Sequence, residues 1–358
     1  PRQALANWRP SQQTGLTPKD LNNLSNALCS AKRPLIVTSY LGRQTAAVER
    51  LVQLADLIGI AVCEVNPQYV NFPGDHEMHV GYRRNTLIDE ADLIWMLDVD
   101  VPWIVSKVQP AQTTRIFHLD IDTLKASMGF WHFPAEQSWQ ADSLAVLDQL
   151  TQLPWRVEEN AKRERIDWIR SSQVKLALPD MPVPAKDGIN IQQLSSAIAQ
   201  LINEQTVVAF EAPTATDRIL NALRMRKPGS YFANGGSGLG WSINAAIGIK
   251  LAKPDADVIT IVGDGSYVFG VPSSTYWVAA TYQVPQLTIV INNGGWNAPK
   301  ASTLLVHPQG LAQQSDQFWI TSTRNSRLAD IAAAAGDAHA FRVSNFSELA
   351  STLNKAIQ

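Results

Sequence analysis

An aspartate framed by glycines, Gly263-Asp264-Gly265, closes the apolar run VITIV at residues 258–262. A tight turn accounts for the glycines but not for the carboxylate between them. Further along, the apolar run QLTIVI at 286–291 ends in Asn292-Asn293, followed by Gly294-Gly295-Trp296. The segment STYWVAATYQV between the two runs reads as one helix. A right-handed crossover of this kind sets the carboxyl ends of its two strands side by side. One carboxylate, one side-chain amide oxygen and nearby backbone carbonyls then make an all-oxygen half-shell carrying a single protein charge. That set suits Mg²⁺, which keeps near-octahedral geometry and shares its ligands with substrate phosphates and water. Glycine on both sides of Asp264 lets the backbone come close, and the amides of Gly265 and Ser266 are placed to cap an anion at the next helix.

A second glycine cluster lies upstream, in FANGGSGLGWSINAAIGIKLA at 232–252, with glycine at 235, 236, 238 and 240. Glycines this dense imply backbone pressed against a ligand, beyond what a tight turn before a small-residue helix requires. The dinucleotide spacing Gly-x-Gly-x-x-Gly fails, because Gly236-x-Gly238 is followed by Leu239-Gly240-Trp241. No segment supplies that fingerprint with an acidic residue about 20 positions on, which argues against a nucleotide-dependent dehydrogenase.

The elements that must position these residues follow from periodicity. PLIVTSY at 34–40 reads as a buried strand, and TAAVERLVQLADLIGI places Val48, Leu51, Val52, Ala55 and Ile58 on one helical face. AVCEV, ADLIWMLDVD and TRIFHLDID are further strands, with Asp98, Asp100, Asp120 and Asp122 at their carboxyl ends. Residues 154–188 comprise a charge-rich helical segment and the proline-rich linker PDMPVPAKDG at 179–188. Beyond it NIQQLSSAIAQLI puts Ile191, Leu194, Ile198 and Leu201 on one face, and TVVAF at 206–210 opens a second alternation of strands and helices. The expected organisation is α/β: two doubly wound parallel-sheet domains, 1–153 and 189–358, joined by 154–188.

With 30 Lys and Arg against 32 Asp and Glu, the net charge is −2, which gives no support for a nucleic-acid surface. No apolar run reaches the roughly 20 residues that a membrane-crossing helix needs. Cys29 and Cys63 both sit in apolar contexts, as core thiols of a reducing compartment do. The expected setting is cytoplasmic and soluble.

Taken in order, GGSGLGW, GDGS and NNGGW resemble the cofactor-binding domain of the thiamine-diphosphate-dependent decarboxylase and carboligase superfamily, whose members include benzoylformate decarboxylase, benzaldehyde lyase and acetolactate synthase. EAPTATDRIL, RKPGSYFANGG and INAAIGIKLAKPDADVITIVGDGS share the resemblance, which covers 189–358. RPLIVTSYLGR, NFPGDHEMHVG and EADLIWMLDVDVPW resemble the family's middle domain more weakly. The resemblance implies that Asp264 and Asn293 ligate Mg²⁺ through side-chain oxygens and Gly295 through its carbonyl. It implies that Gly265 and Ser266 bind diphosphate, with Thr214 a weaker candidate because Ala212 and Pro213 replace polar residues. The backbone around Ser237 and Gly238 would hold the aminopyrimidine, and Leu239 would wedge beneath the bent cofactor.

The implied function is a thiamine-diphosphate- and Mg²⁺-dependent lyase or carboligase acting on 2-oxo acids, with an aldehyde as second substrate in the ligase case. The alternative is a non-catalytic thiamine-diphosphate-binding or regulatory subunit. In the family, the activating glutamate comes from a pyrimidine-binding domain that these residues do not include, so neither Glu64 nor Glu211 is nominated. That domain is expected in cis or from a partner chain, and self-association is expected as well. His307 in LLVHPQG is a candidate acid–base group, set against an ordinary surface histidine. Lys300 reads as a lid lysine, and His76 and His79 as loop residues with no third ligand. TSYLGR carries one glycine, which weighs against an FAD phosphate loop in the middle domain.

Overall fold

The computed structural model describes residues 12–83, 85–129, 133–182, 188–236, 238–320 and 326–357. The chain divides into two compact units, one of Pro1–Pro67 with Asn71–Ala177, the other of Gln68–Val70 with Leu178–Gln358. Ser237 and residues 183–187, half of the proline-rich linker, lie outside the described residues.

The first unit runs α1 (Pro18–Ser30), β1 (Pro34–Thr38), α2 (Thr45–Ile58), β2 (Ala61–Glu64), β3 (Leu93–Leu97), β4 (Arg115–Asp120), β5 (Gln137–Gln140), α3 (Ser143–Thr151) and α4 (Glu159–Leu176). Its five strands are all parallel, in the order β2-β1-β3-β4-β5. PLIVT and LIWML are buried at every position, as expected of central strands covered on both faces. On α2 the buried stripe is Ala47, Val48, Leu51, Leu54, Ala55 and Ile58. Leu54 replaces the expected Val52, which is only partly buried, because it continues the i, i+3 row from Leu51. Both cysteines are free thiols.

The charge-rich segment packs through a buried cation. Arg165 of α4 is 1% exposed, and its guanidinium donates to the carbonyls of Leu28, Cys29 and Ala31 at the end of α1 and of Ile58 at the end of α2. Those carbonyls are the ones a helix leaves without internal partners, and they carry the negative end of its dipole. A surface-looking arginine thus becomes the fastener of two helix ends.

The second unit runs α5 (Ile191–Ala199), β6 (Thr206–Glu211), α6 (Thr216–Leu223), β7 (Tyr231–Ala233), α7 (Trp241–Ala252), β8 (Asp257–Gly263), α8 (Asp264–Phe269), α9 (Pro272–Thr281), β9 (Leu287–Ile291) and α10 (Asn297–Val306). Helices Leu311–Ser315, Leu328–Gly336 and Phe346–Ile357 follow. The sheet is parallel in the order β7-β6-β8-β9. Asn190 caps α5 in a reciprocal pair with Gln193, and Ser195 and Ile198 are its buried positions rather than Ile191 and Leu194. No helix among the described residues is long and apolar enough to cross a membrane.

Two buried groups, Asp98 just past β3 and His118 within β4, titrate in opposite senses. Burial pushes the Asp98 carboxyl up to about 6, against the lowering pull of Arg43. Burial pushes His118 down to about 4. For Asp98 the folded chain holds more protons than the unfolded one between about 3.8 and 6, so stability falls as pH rises there. For His118 the unfolded chain holds more between about 4 and 6.5, so stability rises with pH. The two nearly cancel. Asp98→Asn therefore leaves His118 unopposed, and the urea midpoint of the variant falls from pH 6.5 to pH 4 relative to wild type, by roughly 2–3 kcal/mol of stability. An unchanged pH slope contradicts this assignment.

Candidate functional site

The carboxyl edge of the second sheet gathers the chemistry. β8 pairs with β9 in the register Gly263 to Ile291, so the residue after each strand faces the same edge. β8 passes directly into α8 at Asp264, which is 2% exposed. Its Oδ1 accepts from the Gly265 amide at 3.0 Å and its Oδ2 from the Gly294 amide at 3.1 Å. Gly294 adopts φ +91°, a conformation that favours glycine, and this turn brings Asn293 and Gly295 back towards the carboxylate.

Asn293 Oδ1 stands 2.9 Å from the Gly295 carbonyl oxygen and 3.3 Å from Asp264 Oδ1. All three atoms are acceptors. Turned over, the amide would donate to both oxygens and give up the 2.8 Å bond from Asn297 Nδ2; the oxygen-inward orientation is the one that a cation between these atoms requires. Ligands about 2.1 Å from a Mg²⁺ in octahedral geometry stand about 3.0 Å apart along each edge. The two separations from Asn293, 2.9 and 3.3 Å, are close to that edge length, and all three oxygens have the chemistry of Mg²⁺ ligands. They do not form a cluster of three His, Cys, Asp or Glu side chains, and no such cluster occurs among the described residues.

The glycine loop is fixed from within the chain. Glu211, the last residue of β6, accepts from the Gly240 amide through Oε1 and from the Ser242 amide through Oε2, each at 2.8 Å. It thereby supplies the anion at the start of α7. Gly240 has φ +87°, and a Cβ there would lie 2.4 Å from the Gly270 nitrogen. This glycine is required by the chain's own backbone, a correction to the expectation that a ligand presses on the whole cluster. Asn244 Nδ2 donates to the Gly240 and Gly270 carbonyls, and Thr275 Oγ1 donates to Asn244 Oδ1 at 2.7 Å. Gly236 and Gly238 meet only the Asn234 side chain, which bonds both. Between them and Gly240 projects Leu239, 47% exposed.

Ser266 is buried in the first turn of α8, and Thr214 is exposed in the 3₁₀ turn Pro213–Ala215 after β6, the neighbour of β8. His307 is exposed at the end of α10, where its amide donates to Thr303. Lys300 lies over the Phe318 ring at 4.6 Å. Glu211 and Trp296 are the members that sequence spacing does not reveal. A Cβ at Gly265 would lie 2.5 Å from Cδ1 and Nε1 of Trp296, so the indole lies directly on the turn that follows Asp264.

The first unit's carboxyl edge is filled by its own charges. Arg43 pairs with Asp98 at 2.9 Å, and Lys125 pairs with Asp100 and Asp120 at 2.9 Å each, with the Tyr40 hydroxyl donating to Asp120. His79 bonds buried Glu64 at 3.1 Å, whereas His76 faces Asp56 at 3.3 Å, so the two histidines do not converge.

The description "Thiamine pyrophosphate enzyme, C-terminal TPP binding domain" matches residues 215–358, and "Thiamine pyrophosphate enzyme, central domain" matches 21–150. The chain is 35% identical over 124 residues to benzoylformate decarboxylase of Pseudomonas aeruginosa, covering 34% of this chain and 23% of that protein. It is 26% identical over 294 residues to acetolactate synthase isozyme 1 large subunit of Escherichia coli, covering 79% and 50%. The solved thiamine diphosphate-dependent 4-hydroxybenzoylformate decarboxylase of Rhodococcus jostii RHA1 superposes with TM-score 0.78 at 19% identity, covering 99% of this chain and 64% of that one. Benzoylformate decarboxylase from Polynucleobacter necessarius gives 0.78 at 17%, covering 98% and 64%. At these identities the superpositions speak for the fold. The chain spans about half the length of the acetolactate synthases it matches.

Glu211→Gln keeps the shape but turns an N–H onto one of the two backbone amides. The Gly240 and Ser242 amides are then expected to exchange hydrogen about tenfold faster, with β8 unchanged. Equal protection in wild type and variant contradicts the pinning role.

Proposed function

Because this chain belongs, through its middle and C-terminal domains, to the thiamine pyrophosphate enzymes, we propose that its second unit seats Mg²⁺ and the diphosphate of thiamine diphosphate for decarboxylation or carboligation of 2-oxo acids. The convergence of Asp264 Oδ1, Asn293 Oδ1 and the Gly295 carbonyl carries this reading. When bound, the cofactor supplies the electron sink for cleaving or forming a bond at a carbonyl carbon. The protein's part is placement. Asp264 provides the one formal charge of the metal face, and burial keeps competing water from it. Ser266 and Thr214 stand at the same sheet edge as polar contacts for phosphate oxygens. Leu239 offers an apolar surface on a loop that Glu211 and Asn244 hold in place.

The pyrimidine end of the cofactor is met, in this reading, by a further domain in the same polypeptide or in a partner chain. The first unit is read as taking no FAD: both cations at its carboxyl edge already face carboxylates, and three aspartates line it, which repels a diphosphate. Metal and diphosphate should bind together, since each completes the other's coordination.

Calorimetry with thiamine diphosphate and Mg²⁺ tests the reading. Wild type is expected to bind, and Asp264→Ala to lose about a hundredfold in affinity, roughly 3 kcal/mol. Equal affinity in the variant contradicts it. Product analysis with pyruvate and benzoylformate, in the presence of the pyrimidine-binding domain, then separates an enzyme from a binding subunit.

A further inference from the structure

Trp296 follows the metal-facing Gly295, and its indole Nε1 is buried without a hydrogen-bond partner. Buried donors almost always have partners, so an orphan of this kind needs a physical explanation. The ring cannot readily turn away. Its flat face or edge must clear Gly265, where even a Cβ would come within 2.5 Å of Cδ1 and Nε1. Phe269 meets it edge-on, with centroids 6.0 Å apart and planes at 84°. Its backbone amide is tied to the Ile320 carbonyl at 3.1 Å.

What surrounds this donor indicates what it lacks. The Gly265 amide beneath it is already turned onto Asp264 Oδ1. Immediately before Trp296 in the chain, the Gly295 carbonyl faces Asn293 Oδ1 at 2.9 Å, and Asn293 Oδ1 faces Asp264 Oδ1 at 3.3 Å. A group with acceptor oxygens that also completes a metal's coordination satisfies both needs at once, and a phosphate oxygen does so. An aliphatic side chain at 296 would leave no donor, and phenylalanine would keep the ring but not the N–H.

We propose that the Trp296 indole N–H donates a hydrogen bond to an oxygen of the metal-bound diphosphate, making Trp296 a cofactor-binding side chain. The absence of a side chain at Gly265 is what lets the indole lie against this turn. This rests on the metal-and-diphosphate reading above and adds to it a specific donor atom.

The test uses the full protein and the variant Trp296→Phe, with Mg²⁺ and either thiamine diphosphate or inorganic pyrophosphate as ligand. Affinity for both ligands is expected to fall about tenfold, by the same factor, because the lost bond lies at the part they share. In a sample labelled with ¹⁵N at tryptophan, the indole resonance missing from the variant identifies Trp296 in wild type. Adding Mg²⁺ and pyrophosphate is expected to move that resonance downfield, a signature that packing alone does not produce. If wild type binds, Asp264→Ala abolishes binding, and Trp296→Phe binds as wild type does, this inference fails while the metal reading stands. If the wild-type resonance stays in place on binding, the donor is met by water and the inference likewise fails. If wild type binds neither ligand, both readings fall. Should Trp296→Phe not fold, Trp296→Tyr or sequential assignment from the Trp296 backbone amide identifies the indole, and the wild-type resonance decides.

Discussion

Acceptor oxygens do not rest within hydrogen-bond distance of one another unless a proton or a cation lies between them. Asn293 Oδ1 meets two such oxygens, at 2.9 and 3.3 Å, and accepts from Asn297 Nδ2 at 2.8 Å. Much of the second unit can be read as the means of holding that arrangement. A parallel crossover through α8 and α9 aligns Gly263 with Ile291. The positive φ of Gly294 folds the chain after β9 back onto Asp264, and the Gly294 amide binds the carboxylate it approaches. Each step is local, and together they place one formal charge and two neutral oxygens at a single point. A site of that charge leaves the remaining ligands to phosphate and water, as Mg²⁺ usually does.

Electrostatics also separates the two glycine-rich turns of this sheet. The longer helix, α7, begins at a glycine loop that resembles a phosphate cradle, yet Glu211 already occupies its amides with two bonds of 2.8 Å. An incoming phosphate there would meet a carboxylate at the positive end of the helix. The turn at Asp264 has the opposite character in the proposed reading, in which its carboxylate is neutralised by metal. The same loop is then free to act through its shape, with Leu239 projecting from a backbone locked against Gly270. In the first unit, Arg43 and Lys125 spend their charge on aspartates of their own sheet edge. That edge is a stabilised polar layer rather than an open cradle.

Much of this was legible in the sequence because the signals were local. Runs such as PLIVT, LIWML and VITIV could hardly be anything but buried strands, and Asp264 and Asn293 stood just past VITIV and the similar run LTIVI. What stayed hidden depends on contacts between distant positions. Glu211 meets amides 29 and 31 residues away, and nothing in EAPTATD marks a carboxylate as a helix cap. Arg165 lies in a segment so rich in charge that its burial against the ends of α1 and α2 leaves no pattern. Trp296 reads as one tryptophan among 11 until its indole is seen on Gly265. Short or half-exposed strands, Gln137–Gln140 and Tyr231–Ala233, carry too few apolar residues to stand out.

The central claim is that Asn293 presents oxygen, not nitrogen, to a divalent cation shared with Asp264 and Gly295. Crystals grown with thiamine diphosphate and Mn²⁺ in place of Mg²⁺ test it most directly, through the metal's anomalous scattering. The expected result is a single peak bonded at about 2.1–2.2 Å to an Asp264 carboxylate oxygen, Asn293 Oδ1 and the Gly295 carbonyl. A structure with diphosphate bound but no metal at these oxygens, and with the Asn293 amide turned to donate to Gly295, would contradict it.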